Sequence, residues 1–139
     1  MTVPQAVDFG SMAPGTEISW QLGTVTVTDT RAPGAGVWTA TVSSTDFVKS
    51  GTPVVTISRS NLTYWSGPAT TSQGGGTFIP GQPTAAQQVD LSAPRVAFSR
   101  TTTVGVNEAA WIPTLRLRIP FDTLVRPGVY TGTLTHSVG

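Results

Sequence analysis

Cysteine is absent from this chain of 139 residues, which excludes disulfides, thiolate chemistry and cysteine-held zinc. Charge is scarce too. Asp, Glu, Lys and Arg make up 11% of the sequence, against about 25% in an ordinary soluble domain. With a net charge of +1 there is no electrostatic footprint for nucleic acid or for anionic lipid. Lys49 is the single lysine and His136 the single histidine, so no His-rich metal site can assemble. No apolar run approaches the roughly 20 residues of a membrane helix, and no signal peptide or sorting tail is recognisable. An exported protein of this kind would carry its targeting segment outside these residues. Helical periodicity is missing as well, because Gly, Pro and runs of Thr and Ser interrupt every stretch long enough to supply it.

What is present is period-two alternation between turn signals. In Leu22 to Arg31, Val25 and Val27 face one way and Thr24, Thr26 and Thr28 the other. In Val37 to Val42, Trp38, Ala40 and Val42 share a face opposite Thr39 and Thr41. The gap Ala32-Pro33-Gly34-Ala35-Gly36 supplies reversal residues, so the pair reads as a hairpin. Further strands are expected over Val3–Phe9, Glu17–Thr30, Val37–Ser44, Val54–Arg59, Asn61–Trp65, Val89–Leu91, Arg95–Arg100 (Val96 and Phe98 together) and Val129–Val138, with a weaker one over Thr101–Val106. Thr114–Ile119 alternates cleanly, with Leu115, Leu117 and Ile119 inward and Arg116 and Arg118 outward. Residues 66–88 hold Gly74-Gly75-Gly76 and three prolines, and read as one long Gly/Pro-rich loop inserted between strands. Many strands without helices imply all-β, antiparallel sheets that stack as a sandwich or close as a barrel. The preferred reading is a single domain, residues 1–139, folded as an immunoglobulin-like two-sheet sandwich.

Catalytic patterns are weak. The seven acids are scattered, no G-x-S-x-G frames a serine, and Gly74 to Gly76 lacks the lysine and helix of a phosphate loop. The reading is therefore a non-enzyme with no cofactor and no metal. His136 is expected to be a satisfied or exposed strand residue. For Trp38 core packing is the default. Tyr64 and Trp65, beside the 66–88 segment that holds Phe78, are the candidate ligand-binding residues, since aromatic rings can stack on sugars; core lids are the plainer explanation. Asp29 and Arg31, two apart on a strand, are placed to pair, the alternative being two exposed charges beside a turn. Tyr130 after Pro127-Gly128 suggests a corner in which its hydroxyl anchors nearby backbone.

Several of these phrases resemble the WxL domains of Gram-positive bacterial surfaces. Val7-Asp8-Phe9-Gly10 is similar to their short opening strand, Val27-Thr28-Asp29-Thr30-Arg31 to their V-x-D-x-R phrase, and Asp46-Phe47 to a strand end. Trp38-Thr39-Ala40 stands where the first W-x-L belongs, with Ala40 in place of leucine. Pro127 to Thr135 resembles the final strand of bacterial surface sandwiches, without the second W-x-L. The likeness covers about the first third and last fifth of the chain. It implies Asp29, Arg31, Trp38 and Tyr130 as structural motif residues and an extracellular or cell-surface setting. The function expected is a non-catalytic exported surface or assembly module working through strand edges and loops. Its partners would be other surface proteins or a second copy of itself, with neither nucleic acid nor membrane insertion. The alternative is a carbohydrate-binding module for peptidoglycan or another cell-wall polysaccharide.

Overall fold

The computed structural model describes residues 1–31, 36–101, 104–121 and 126–139. These form strands β1 (Glu17–Gln21), β2 (Val25–Asp29), β3 (Trp38–Ser44), β4 (Phe47–Lys49), β5 (Val55–Ile57), β6 (Leu62–Trp65) and β7 (Ala69–Gln73). They continue with β8 (Thr77–Pro80), β9 (Val89–Asp90), β10 (Arg95–Thr101), β11 (Asn107–Trp111), β12 (Thr114–Arg118) and β13 (Leu134–Val138). Two single-turn 3-10 helices, at Arg59–Asn61 and Ala85–Gln87, complete the described elements. The protein is all-β with antiparallel sheets, as a β-sandwich requires.

One layer contains two hydrogen-bonded sheets, ordered β1-β12-β6-β9 and β2-β11-β7. The same three chain segments run through both. Each is interrupted once, at residues 22–24, 66–68 and 112–113, and the interruptions lie side by side. Leu22 N–H donates to Pro113 O at 3.0 Å, and a Cβ on Gly67 would lie 3.5 Å from Ile112 O. Pro113 cannot donate to a ladder, and Gly23 (φ 98°) adopts backbone that other residues avoid, so the ribbon bends there. The other layer is the sheet β13-β3-β10-β8, with the hairpin β4-β5 beside it.

Between the layers lie Val25, Val27, Leu62, Tyr64, Trp111, Leu115 and Leu117 from one side and Trp38, Ala40, Val42 and Phe98 from the other. Phe98 stacks on Trp111 with centroids 4.8 Å apart, joining the sheets. Large aromatic rings dominate such cores because each removes roughly 150–250 Å² from water.

Several expectations change. The segments around β2 and β3 do not form a hairpin: β2 pairs with β11, and β3 with β10 and β13, so the chain crosses between layers. Both strands bury apolar faces toward one interior, which an arch satisfies without mutual pairing. Residues 32–35 of the expected turn lie outside the described residues. Val3–Phe9 is not a strand; Thr2 alone bridges to Thr26, and Pro4 cannot donate to a ladder. Glu17–Thr30 divides into β1 and β2.

The long loop expected over 66–88 is instead β7, β8 and a 3-10 turn. Their backbones are held by β11 and β10, so they need few apolar side chains. In β10 a bulge between Val96 and Phe98 separates those two residues, leaving Val96 46% exposed and Phe98 buried. Gly81 N–H and Gln82 Nε2 bond the Ala97 and Val96 carbonyls there. Central strand β11 has no counterpart among the expected strands. Of Thr101–Val106, Thr101 closes β10, Val104 and Val106 are exposed, and residues 102–103 lie outside the described residues. The final strand is shorter than expected, with Thr131 bridging to Val48 before it begins.

Candidate functional site

The three proposed ligand-contacting aromatics do not form a platform. Tyr64 and Trp65 are neighbours on β6 and so face opposite sides of the sheet. Tyr64 is wholly buried, which removes it from any surface site. Its hydroxyl accepts the Trp111 indole N–H at 3.3 Å and lies 3.0 Å from His136 Nε2 across the core. With Trp111 donating to its oxygen, the Tyr64 hydroxyl keeps its own proton, which suits donation to an unprotonated Nε2 of a neutral His136. Burial pushes the His136 imidazole down to about 4 and raises the Tyr64 phenol. His136 is thus a satisfied strand residue. Phe78 lies on β8 in the other layer, half-buried under the Arg100 guanidinium at 5.6 Å. Trp65 alone of the three reaches the outer face.

At the arch between β2 and β3, polar side chains are consumed by structure. Asp29 is buried and accepts Arg31 Nε at 2.9 Å, Arg31 Nη2 at 2.8 Å, and the N–H groups of Arg31 and Gly36 at 3.2 Å each. The side-chain hydrogen bonds from Arg31 hold the carboxyl far below the usual carboxylate range. The pair forms, but not along one strand as expected: β2 ends at Asp29, whose buried carboxylate bridges Arg31 and Gly36 while the Arg31 side chain lies in solvent. Trp38 is buried as expected, its indole N–H donating to Asn107 Oδ1 at 2.8 Å. Tyr130 Oη accepts Arg126 N–H at 3.1 Å and donates to Arg126 O at 2.6 Å, closing the corner.

Arg100, which the sequence reading passed over, is fully buried beside that arch. It donates to Gly36 O at 2.5 Å and, through Nε at 2.9 Å and Nη2, to Gly75 O. It ties the arch to the β7–β8 turn, where a Cβ on Gly74 would lie 2.7 Å from Val106 O. An arginine ending an otherwise apolar inward face was the one available signal.

The outward side of β1-β12-β6-β9 is different. The register places Glu17 opposite Arg118, Ser19 opposite Arg116, Thr63 opposite Arg116 and Asp90, and Thr114 opposite Trp65. A shallow groove of about 320 Å³ runs along this face, lined by Glu17, Ser60, Asn61, Thr63, Gln88, Arg116 and Arg118. The Arg116 guanidinium packs over the Trp65 ring at 5.4 Å and its Nε donates to Ser19 Oγ at 3.2 Å. Among the described residues the ion pairs are Asp29–Arg31 and Asp90–Arg95, so neither Arg116 nor Arg118 has a carboxylate in ion-pair reach. Sequence alternation placed both arginines outward, but nothing in it placed Asn61, Gln88 and Ser60 around them.

Among the described residues no group of three or more His, Asp or Glu side chains is gathered to hold a metal ion. No helix among them is long and apolar enough to cross a membrane. Against known proteins, no family model matches the chain, no curated protein matches it, and no solved structure matches it.

Proposed function

We propose that the chain is a non-catalytic module of a bacterial surface, an immunoglobulin-like sandwich of WxL type that assembles through its strand edges and loops. The observation carrying this reading is the edge presented by β13. Edge strands β1, β2, β8 and β9 each hold a charge or a proline, at Glu17, Asp29, Pro80 and Asp90, the devices that discourage strand addition. Strand β7 is uncharged, but its register with β11 shifts. Strand β13 has neither charge nor proline and pairs with β3 over five residues without a shift. Gly139 exchanges both backbone bonds with Thr39, at 2.8 and 3.1 Å, which turns the N–H and C=O groups of Val138, His136 and Leu134 outward. These unpaired groups are a template for a second strand, and a second copy of the chain supplies one by antiparallel addition.

The non-catalytic reading is supported by His136, whose Nε2 is engaged by Tyr64 inside the fold. The extracellular setting rests on the WxL resemblance. Light scattering on the eluting protein tests assembly: a dimer is expected at high concentration and a monomer for Thr135→Lys, which sets a cation on the edge. A wild-type monomer at millimolar concentration would remove the reading.

Saccharide binding is a second reading, favoured by one observation. Trp65 lies half-exposed on the outer face beside a groove of amide, hydroxyl and guanidinium groups, the inventory that recognises sugars. Retention on insoluble cell wall, lost on Trp65→Ala, is the expected result.

A further inference from the structure

The groove on the outer face of β1-β12-β6-β9 holds polar valences that the fold leaves unused. Arg116 and Arg118 are two of the eight cationic side chains in the chain, yet they stand two residues apart on one strand face. Like charges so placed repel each other mildly, and among the described residues neither has a carboxylate in ion-pair reach. Arg116 is held in place: Trp65 lies under its guanidinium and Ser19 accepts from Nε, so the two Nη groups are left to donate. Arg118 is exposed beside it.

Around this pair the neutral groups are only partly used. Asn61 Nδ2 donates to Ser58 O at 3.1 Å, leaving its Oδ1 as an acceptor. Gln88 Oε1 accepts the Thr63 hydroxyl at 2.8 Å, leaving its Nε2 as a donor. Glu17 adds a carboxylate at the rim, so the lining carries two positive charges and one negative. At about 320 Å³ the groove is at the small end of ligand sites, which run from roughly 300 to 1,000 Å³.

We propose that this groove binds a carboxylated saccharide, with the uronate-type carboxylate on the Nη groups of Arg116 and on Arg118, and the ring hydroxyls on Asn61, Gln88 and Glu17. A planar carboxylate suits the guanidinium fork, which two parallel N–H groups can grip. The amides and Glu17 offer a mixture of donors and acceptors that matches sugar hydroxyls better than a bare anion. Trp65 is a positioning residue here, since it orients Arg116. The inference rests on the saccharide reading of this face and specifies its ligand class.

Calorimetric titration of the full chain tests it with three probes: tri-galacturonate, the neutral trisaccharide galactotriose, and inorganic phosphate. Tri-galacturonate is expected to bind, with affinity falling about tenfold or more in Arg116→Ala and Arg118→Ala, the range for a charge-assisted hydrogen bond. Glu17→Gln is expected to tighten binding, a gain that misfolding cannot mimic. Trp65→Leu is expected to weaken tri-galacturonate by loosening Arg116 while leaving near-ultraviolet dichroism of the buried tryptophans unchanged. Equal binding of galactotriose, independent of the arginines, would overturn the carboxylate inference and leave saccharide binding standing. Phosphate competing as well as the uronate would overturn it in favour of a general anion site. No binding of either saccharide would overturn both.

Discussion

Arg100 and Arg118 carry the same guanidinium on strands of the same protein, yet their surroundings assign them opposite tasks. Arg100 ends an inward strand face where the carbonyls of Gly36 and Gly75 converge, and Nε, Nη1 and Nη2 each donate to one of them. Arg118 ends an outward face, opposite Glu17 but outside ion-pair reach of it, with solvent above. A buried cation surrounded by carbonyls is an architectural element, because removing it strands acceptors that water cannot reach. An exposed cation with no partner contributes little to stability and is available to a ligand. The same contrast separates Tyr64 from Trp65, adjacent in sequence and divided by one sheet.

Replacing Arg100 with Met is the sharpest way to break the comparison. It leaves the Gly36 and Gly75 carbonyls unsatisfied, and a loss of about 3 kcal/mol or more is expected in urea unfolding. A loss no larger than that of Arg118→Ala would erase the distinction. Gly81→Ala tests the neighbouring bulge, since its Cβ would fall 2.2 Å from Val96 O. Backbone must shift to admit it, so a clear drop in unfolding temperature is expected by calorimetry.

The Tyr64–His136 contact extends the comparison to pH. Its neutral imidazole has a folded value near 4 against an ordinary 6.5. Above pH 6.5 both folded and unfolded histidine are neutral and the contact is at full strength. As pH falls from 6.5 toward 4 the unfolded chain takes a proton that the folded one refuses, so stability declines by about 3 kcal/mol in total. His136→Gln should flatten that part of the profile relative to wild type, measured by unfolding at fixed pH steps. The acid-side behaviour of Asp29 has the opposite origin: its lowered carboxyl keeps the arch closed until well below the ordinary carboxylate range. Asp29→Asn should lower the unfolding temperature at neutral pH and lose its effect in strong acid. The smallest effect belongs to Arg118→Ala, within about 0.5 kcal/mol of wild type, as expected for an exposed charge without a partner.

Leu115, Leu117 and Ile119 face inward and Arg116 and Arg118 outward, as their alternation states, because side-chain direction in a strand depends on position parity alone. Trp38 with Ala40 and Val42 was readable for the same reason, whereas Asp29 and Arg31 pair beyond the end of β2 rather than along one strand. Strand β11 was not. Asn107-Glu108-Ala109-Ala110-Trp111 has weak strand preference, and its neighbours β2 and β7 impose the conformation. Residues 69–80 were missed likewise, since an edge held by backbone bonds needs no apolar code. Of the candidate site, parity separated Tyr64 from Trp65, but which of the two faced the core depended on where the second layer lay.

The chain's local pattern, short alternating segments split by Gly and Pro, determined that it would be all-β and, on unbulged strands such as Trp38–Ser44 and Thr114–Arg118, which residues would share a face. Both follow from backbone geometry repeated every two residues. Partner choice was decided only in three dimensions: that β2 and β3 separate into different layers, that Arg100 ties loops far apart in sequence, and that Arg116, Arg118, Asn61 and Gln88 ring one groove. Such choices depend on the joint packing of Trp111, Phe98 and Trp38 into one interior, a collective volume constraint that no window of neighbouring residues contains.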